Sequence, residues 1–201
     1  MTETFGFRHA AYDSPWWPVP SSRSGRFHRA DSDIAQYLCL HPLGPAAEML
    51  RHNVGPDGDL DEVLLNLWAG VVSIDGIVEL TFEHCMNFDI SPDDLVGDDH
   101  GPTQALADRL RSGGVPGLLT PSAALPGTDT LVLFGPRVWH PFLLPTYSPE
   151  ECPTAHLTDG ARPPAEVAPY VRWFGTPHSA LDQWKATGRY EPFVDVLATR
   201  W

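Results

Sequence analysis

Three groups of side chains in this sequence have the types and spacing to act on a ligand. The first is Arg8, Arg23, Arg26 and Arg29, four guanidinium groups close together in a chain with 13 basic against 26 acidic residues. Guanidinium forks grip phosphate or pyrophosphate oxygens two at a time. The competing reading is an exposed loop whose arginines pair with Asp13, Asp31 and Asp33, each pair worth little. The second is Glu48, set among Ala46, Ala47, Met49 and Leu50, where a carboxylate meets apolar surroundings. Its alternative is a helix-surface carboxylate near a favourable dipole. The third is Ser122 behind Pro121 at a strand end, where a hydroxyl either touches a ligand or caps a turn.

Other chemistries are argued against. The pairs Cys39 with His41, His84 with Cys85, and Cys152 with His156 do not make a zinc pattern, so no metal is expected. Gly-x-Gly-x-x-Gly, P-loop and Gly-x-Ser-x-Gly elements do not occur. Trp16-Trp17 and Trp173-Phe174 read as core anchors or loop clamps rather than base-stacking platforms. A net charge of −13 is a poor footing for nucleic acid or an anionic membrane. Three scattered cysteines supply no disulfide framework and fit a reducing compartment. The start MTETFGFRHA lacks the basic and apolar regions of a leader, and no run reaches the length of a membrane span, so the cytoplasm is expected. With 201 residues the chain predicts one domain, and its 21 prolines and 17 glycines predict many loops.

The elements that must position these residues follow from periodicity and punctuation. Phe5 to Ala10 reads as a first strand, and Tyr12 to Ser24 as a loop with aromatic anchors. Ile34 to Leu40 reads as a strand carrying Tyr37. Pro45 suits the first turn of a helix over Ala46 to His52, which puts Glu48 in its opening turns. Leu60, Val63, Leu64, Leu67 and Trp68 recur at helical spacing behind an acidic lead, predicting a second helix. Val71 to Phe82 predicts two short strands, or one interrupted strand, about Asp75-Gly76, and Asp89 to Gly101 an acidic loop. A third helix is predicted over Thr103 to Arg111, stopped by Gly113-Gly114. Val115 to Thr120 and Thr130 to Phe134 read as strands flanking Pro121 to Ala123. Proline recurs from Pro136 to Pro169, which predicts irregular chain or extended edges. A last helix is predicted over Ser179 to Thr187.

Phe7-Arg8 at the first strand, Gly25-Arg26-Phe27, Tyr37-Leu38, Ala46-Ala47-Glu48, and Pro121-Ser122-Ala123 followed by Leu131 to Phe134 occur in an order that resembles the RES-domain family. His28 and Arg29 stand where Asn-Pro commonly follows the aromatic. The resemblance covers roughly Phe5 to Phe134. It implies a single RES domain over 1–201, with a core of about 5–134 and an elaborated C-terminal part over 135–201. The implied fold is α+β, an ADP-ribosyltransferase-like mixed fold with a small curved β-sheet core flanked by helices and a proline-rich C-terminal elaboration. The implied substrate is NAD, cleaved at the nicotinamide–ribose bond with water or inorganic phosphate as acceptor. Mono-ADP-ribosyl transfer to a protein, or a non-catalytic nucleotide-binding module, are the alternatives. Many relatives are toxins neutralised by a helical Xre-like antitoxin, so a helix-turn-helix antitoxin is the implied partner, and a homo-oligomer stays open. By the same resemblance Glu48, Arg26 and Ser122 are the implied catalytic residues. Arg8, His9, Arg26, Tyr37 and Ser122 are the implied NAD-binding residues.

Overall fold

In chain order the strands are β1 (Thr2–Ala10), β2 (Ala35–Cys39), β3 (Leu65–Ile74), β4 (Val78–Glu79), β5 (Gly117–Pro121), β6 (Asp129–Phe134), β7 (Val138–His140) and β8 (Glu151–Ala161). The helices are α1 (Gly44–Asn53), α2 (Pro92–Val96), α3 (Gly101–Ser112) and α4 (Ser179–Thr187). This computed structural model describes residues 2–10, 15–59, 63–140 and 151–194. The expectations placed on Tyr12, Asp13, Leu60, Asp61, Glu62, Pro141, Pro145 and Pro149 lie outside these residues, as does the side chain of Cys152.

The strands form one mixed sheet in the order β4-β5-β6-β2-β1-β3-β8-β7, parallel only at its two ends. Ile74 ends β3 and Val78 begins β4, yet four other strands stand between them in the order. Four Cα steps reach at most about 15 Å, whereas five strand spacings of a flat sheet need about 24 Å. The sheet is therefore curled. Its inner surface is sealed by Trp16, Leu38, Val72, Leu131 and Leu133, with Ile74, Ile77 and Leu119 packed against them.

Alternation along β2 and β6 sends neighbouring side chains to opposite faces. Val132, Phe134 and Ala35 join Leu95, Leu106, Leu110 and Leu181 on the helical face. Also on that face, α1 packs Ala46, Ala47 and Leu50 against Leu125, Val167 and Val171. β1 is paired with β3 along its whole length, from Thr2↔Ile74 to Ala10↔Asn66, but meets β2 only at Phe7↔Cys39. α1 lies over this loosely joined seam, in contact with β1, β2 and β3. Gly44 permits the approach, because a Cβ there would fall 2.4 Å from that of Cys39.

Three expectations are corrected. The second helix over Leu60 to Trp68 gives way, in its described part, to β3 from Leu65 onward, because β1 and β8 flank that segment and supply backbone partners on both sides. The helical spacing was coincidental: Leu64 is exposed while Leu65 is buried. The acidic loop over Asp89 to Gly101 contains α2, whose Ser91 hydroxyl accepts from the Asp94 N–H at 3.1 Å. The proline-rich segment supplies β8, an interior strand between β3 and β7 rather than an edge, and a 3₁₀ helix over Ala165–Tyr170. Asp75-Gly76 does end a strand, but β4 pairs with β5 and not with β3.

Candidate functional site

Arg26 sits at the tip of a tight turn in which Gly25 and His28 exchange backbone hydrogen bonds at 3.0 and 3.4 Å. Side chains of α3 hold the turn's carbonyls. Thr103 Oγ1 donates to Arg26 O at 2.6 Å, Gln104 Nε2 donates to Gly25 O and His28 O, and Arg111 donates to Phe27 O. From the other side, the Tyr37 hydroxyl accepts from the Phe27 N–H at 2.9 Å and meets His28 Nδ1 at 2.9 Å. His28 Nε2 faces Arg23 O at 2.9 Å, so the consistent arrangement protonates Nε2 and lets Tyr37 donate to Nδ1. His28 thus supplies a second anchor for the turn.

With its backbone fixed, Arg26 extends a guanidinium whose hydrogen bond is a long one, 3.4 Å to Leu95 O. No acidic side chain among the described residues forms an ion pair with it. Burial, then the nearby positive charge of Arg51, lowers its pKa to about 10. It stays cationic. Arg29, by contrast, is exposed and salt-bridged to Asp108 at 2.5 Å, and Arg23 is exposed. The structure therefore separates Arg26 from the two solvent-facing members of the arginine cluster.

Glu48 lies in α1 with Arg51 and His52 on the same side at i+3 and i+4. Its Oε2 is 3.2 Å from His52 Nε2, and its side chain keeps 26% exposure. Burial raises the Glu48 pKa, but the His52 hydrogen bond and the charges of His52, Arg51 and Arg26 outweigh it and hold it below the usual carboxylate value. Glu48 is ionised at neutral pH. Arg51 is bound to Ala123 O and to Asp98 at 2.7 Å, and Arg172 shares the same Asp98. Three guanidinium groups thus face two carboxylates, a surplus of one positive charge in a chain of net charge −13. Burial, with the Arg26 and Arg51 charges, pushes His100 down to about 4, so it adds no further charge near neutrality.

The remaining expected residues divide by face. Phe7↔Cys39 puts His9 on the α1 side, where burial lowers its pKa to about 4 and the Glu48 charge partly restores it. Arg8 follows the alternation to the opposite face with Gly6 and Leu38. There it donates to Gln36 Oε1 at 2.7 Å and lies over the rings of Trp16 and Trp17, at 5.8 and 5.4 Å. The Ser122 hydroxyl accepts from the N–H groups of Ala124 and Leu125, at 3.3 and 3.1 Å, and so shapes a turn. Its influence passes through the next carbonyl, Ala123 O, which holds Arg51. Among the described residues no group of three or more His, Cys, Asp or Glu side chains is arranged to hold a metal. No helix among them is long and apolar enough to cross a membrane.

Sequence reasoning missed Arg51, His52, Asp98, Arg172 and the α3 side chains. The i, i+3, i+4 spacing behind Glu48 was a usable signal for Arg51 and His52. Asp98 and Arg172 meet across 74 positions, and no local pattern announces such a pair.

A half-buried anion beside unpaired and shared cations can receive a phosphate-bearing ligand and stabilise positive charge developing on it. The family model described as the RES domain matches residues 5–154. A protein named probable NAD(+) phosphorylase Rv3189, from Mycobacterium tuberculosis, is 33% identical over 116 residues, 57% of this chain. The match spans about half of that relative, 55% of its length. The crystal structure of the M. tuberculosis MbcT-MbcA toxin-antitoxin complex contains a chain of similar fold, with a TM-score of 0.57 at 18% identity, covering 78% of this chain and 85% of that one.

Proposed function

The chain belongs to the RES-domain family, and from that premise we propose that it consumes NAD by breaking the nicotinamide–ribose bond. The observation that carries this reading is Glu48, an ionised and half-buried carboxylate on α1 near the guanidinium of Arg26, which has no ion-pair partner among the described residues. As the glycosidic C–N bond breaks, its electron pair leaves with nicotinamide and the ribose carbon becomes oxocarbenium-like. A fixed carboxylate stabilises that charge more in the transition state than in the ground state. Arg26 is the residue we assign to the pyrophosphate. Tyr37, tied through its hydroxyl to the Arg26 turn and only partly buried, is the residue we assign to the ribose half. His9 lines the same face as Glu48.

The acceptor is water, giving ADP-ribose and a proton, or inorganic phosphate, giving ADP-ribose phosphorylated at the ribose carbon. The name of the mycobacterial relative favours phosphate. The curled sheet supports the ADP-ribosyltransferase-like fold implied by the sequence resemblance. The fold match to a chain of a toxin–antitoxin complex supports a toxin role with an antitoxin partner. Incubation with NAD, with and without phosphate, tests the reading. Nicotinamide release is expected, accelerated by phosphate if the chain is a phosphorylase. A folded, partner-free sample that leaves NAD intact over hours at micromolar enzyme rejects it.

A further inference from the structure

We propose that Phe174 positions the substrate, offering its ring as a stacking platform for a planar base of the dinucleotide at the mouth of the Glu48 site. The proposal rests on the NAD-consuming reading above. It concerns a segment beyond the stretch matched by the family model, which ends at residue 154. Sequence alone reads Trp173-Phe174 as core anchors or loop clamps, whereas Phe174 is an exposed aromatic.

The segment from Ala165 to His178 is a strap laid against α1. Val167 and Val171 are buried with Leu43, Ala46, Ala47 and Leu50. Beyond them Arg172 donates from Nε to Thr176 O at 3.0 Å and from Nη1 to Val96 O at 3.2 Å and to Asp98. The Gly175 N–H donates to the second oxygen of Asp98 at 2.7 Å. One carboxylate thus clamps the strap to Arg51 of α1. Directly after Arg172, Trp173 to Thr176 forms a turn closed by Thr176 N–H on Trp173 O at 3.2 Å. Gly175, with φ of 77°, takes the position that demands a left-handed backbone, and Phe174 occupies the tip before it.

The Phe174 ring is fixed on two sides. The Arg51 guanidinium lies 4.3 Å from its centroid, and the His52 ring meets it edge-on at 5.3 Å. His52 in turn touches Glu48. Yet Phe174 remains 47% exposed. A lone exposed aromatic is ordinary, but one held by a turn, a cation and an imidazole that contacts the reacting carboxylate has its orientation determined in advance. That is what a stacking surface requires, since little side-chain entropy is then lost on binding.

The test compares wild type with Phe174→Ala, Phe174→Leu and Phe174→Tyr, reading nicotinamide release from NAD and equilibrium binding of NAD, ADP-ribose and nicotinamide mononucleotide. Phe174→Ala and Phe174→Leu are expected to raise KM and Kd for NAD about five- to twentyfold while kcat stays within about threefold, and Phe174→Tyr to restore both. Loss with ADP-ribose but not with the mononucleotide identifies adenine as the stacked base, and the reverse identifies nicotinamide. Equal weakening of all three ligands, full activity of Phe174→Leu, or no effect of Phe174→Ala overturns the proposal. A wild type that binds none of the ligands removes the NAD reading itself, and the stacking role with it.

Discussion

Glu48 and Arg26 differ from other charged residues of the chain in what surrounds them. Glu48 is held ionised by neighbours on its own helix, so its charge is present throughout neutral pH and needs no proton transfer to act. Glu48→Gln keeps size and hydrogen-bonding capacity while removing the charge. It is expected to lower nicotinamide release at least about a hundredfold with NAD binding retained, and near-normal turnover would reject Glu48 as the stabilising carboxylate. Arg26 is desolvated with no acidic ion-pair partner among the described residues, whereas Arg29 is already neutralised by Asp108 in solvent. Truncating a desolvated cation that grips a ligand costs roughly 2–5 kcal/mol, and truncating an exposed ion pair about 0–1 kcal/mol. Arg26→Ala is therefore expected to weaken NAD binding or turnover at least thirtyfold, and Arg23→Ala or Arg29→Ala less than about fivefold. Equal small effects would return the whole cluster to a charged loop. Sequence could nominate Arg26 and Glu48 by type and order. It could not tell Arg26 from Arg29, because that difference is made by Asp108 and Leu95, far along the chain.

Where an element announces itself by local chemistry, sequence and structure agree. α4 spans the predicted Ser179 to Thr187, with Gly188 ending it in the left-handed conformation, and Pro45 opens α1 as expected. The start of β3 departs from its helical spacing, and β8 from an edge position, because their partners are remote and pairing overrides the local pattern. α2 was legible after all, in Ser91-Pro92-Asp93-Asp94, a cap, a proline and two acids in the first turn. The start of α4 carries a consequence for pH. His178 Nδ1 accepts from the Leu181 N–H at 3.2 Å while Nε2 bonds Ser122 O at 2.9 Å, so the cap works only with a neutral ring. Burial pushes the His178 pKa down to about 4, against about 6.5 in an unfolded chain. Between these values the unfolded state binds more protons, so the contribution is complete above about pH 6.5 and declines as pH falls towards 4. The loss for this 4% exposed residue is on the order of 2–3 kcal/mol. Urea midpoints should therefore fall between pH 7.5 and pH 4.5. His178→Asn, which keeps a capping acceptor without the titration, should flatten that dependence, and an unchanged slope would place the acid sensitivity elsewhere.

At the scale of the whole molecule, the curled sheet keeps two arginine environments apart. Arg8, buried with Gln36 and two indoles, belongs to the inner surface, while Arg26, Arg51 and Arg172 gather on the helical face around Glu48 and Asp98. This separation follows from strand register and from curvature imposed by a short link, neither of which is visible in local patterns. Its electrostatic result is a small positive surplus set in a chain of net charge −13. NAD carries a net negative charge, so at a distance the molecule repels it, and only close to Arg26, Arg51 and Arg172 do the guanidinium groups attract it. The two effects respond differently to salt. Raising ionic strength from about 0.01 M to about 0.15 M shortens the screening length from about 30 Å to about 8 Å. The long-range repulsion is then screened, whereas the attraction from the half-buried Arg26 persists. The kcat/KM for NAD is expected to rise two- to fivefold over that range and then level off, with kcat nearly constant. A steep decline instead would mean that exposed cations dominate capture, and Arg23 and Arg29 would have to be restored to the binding surface.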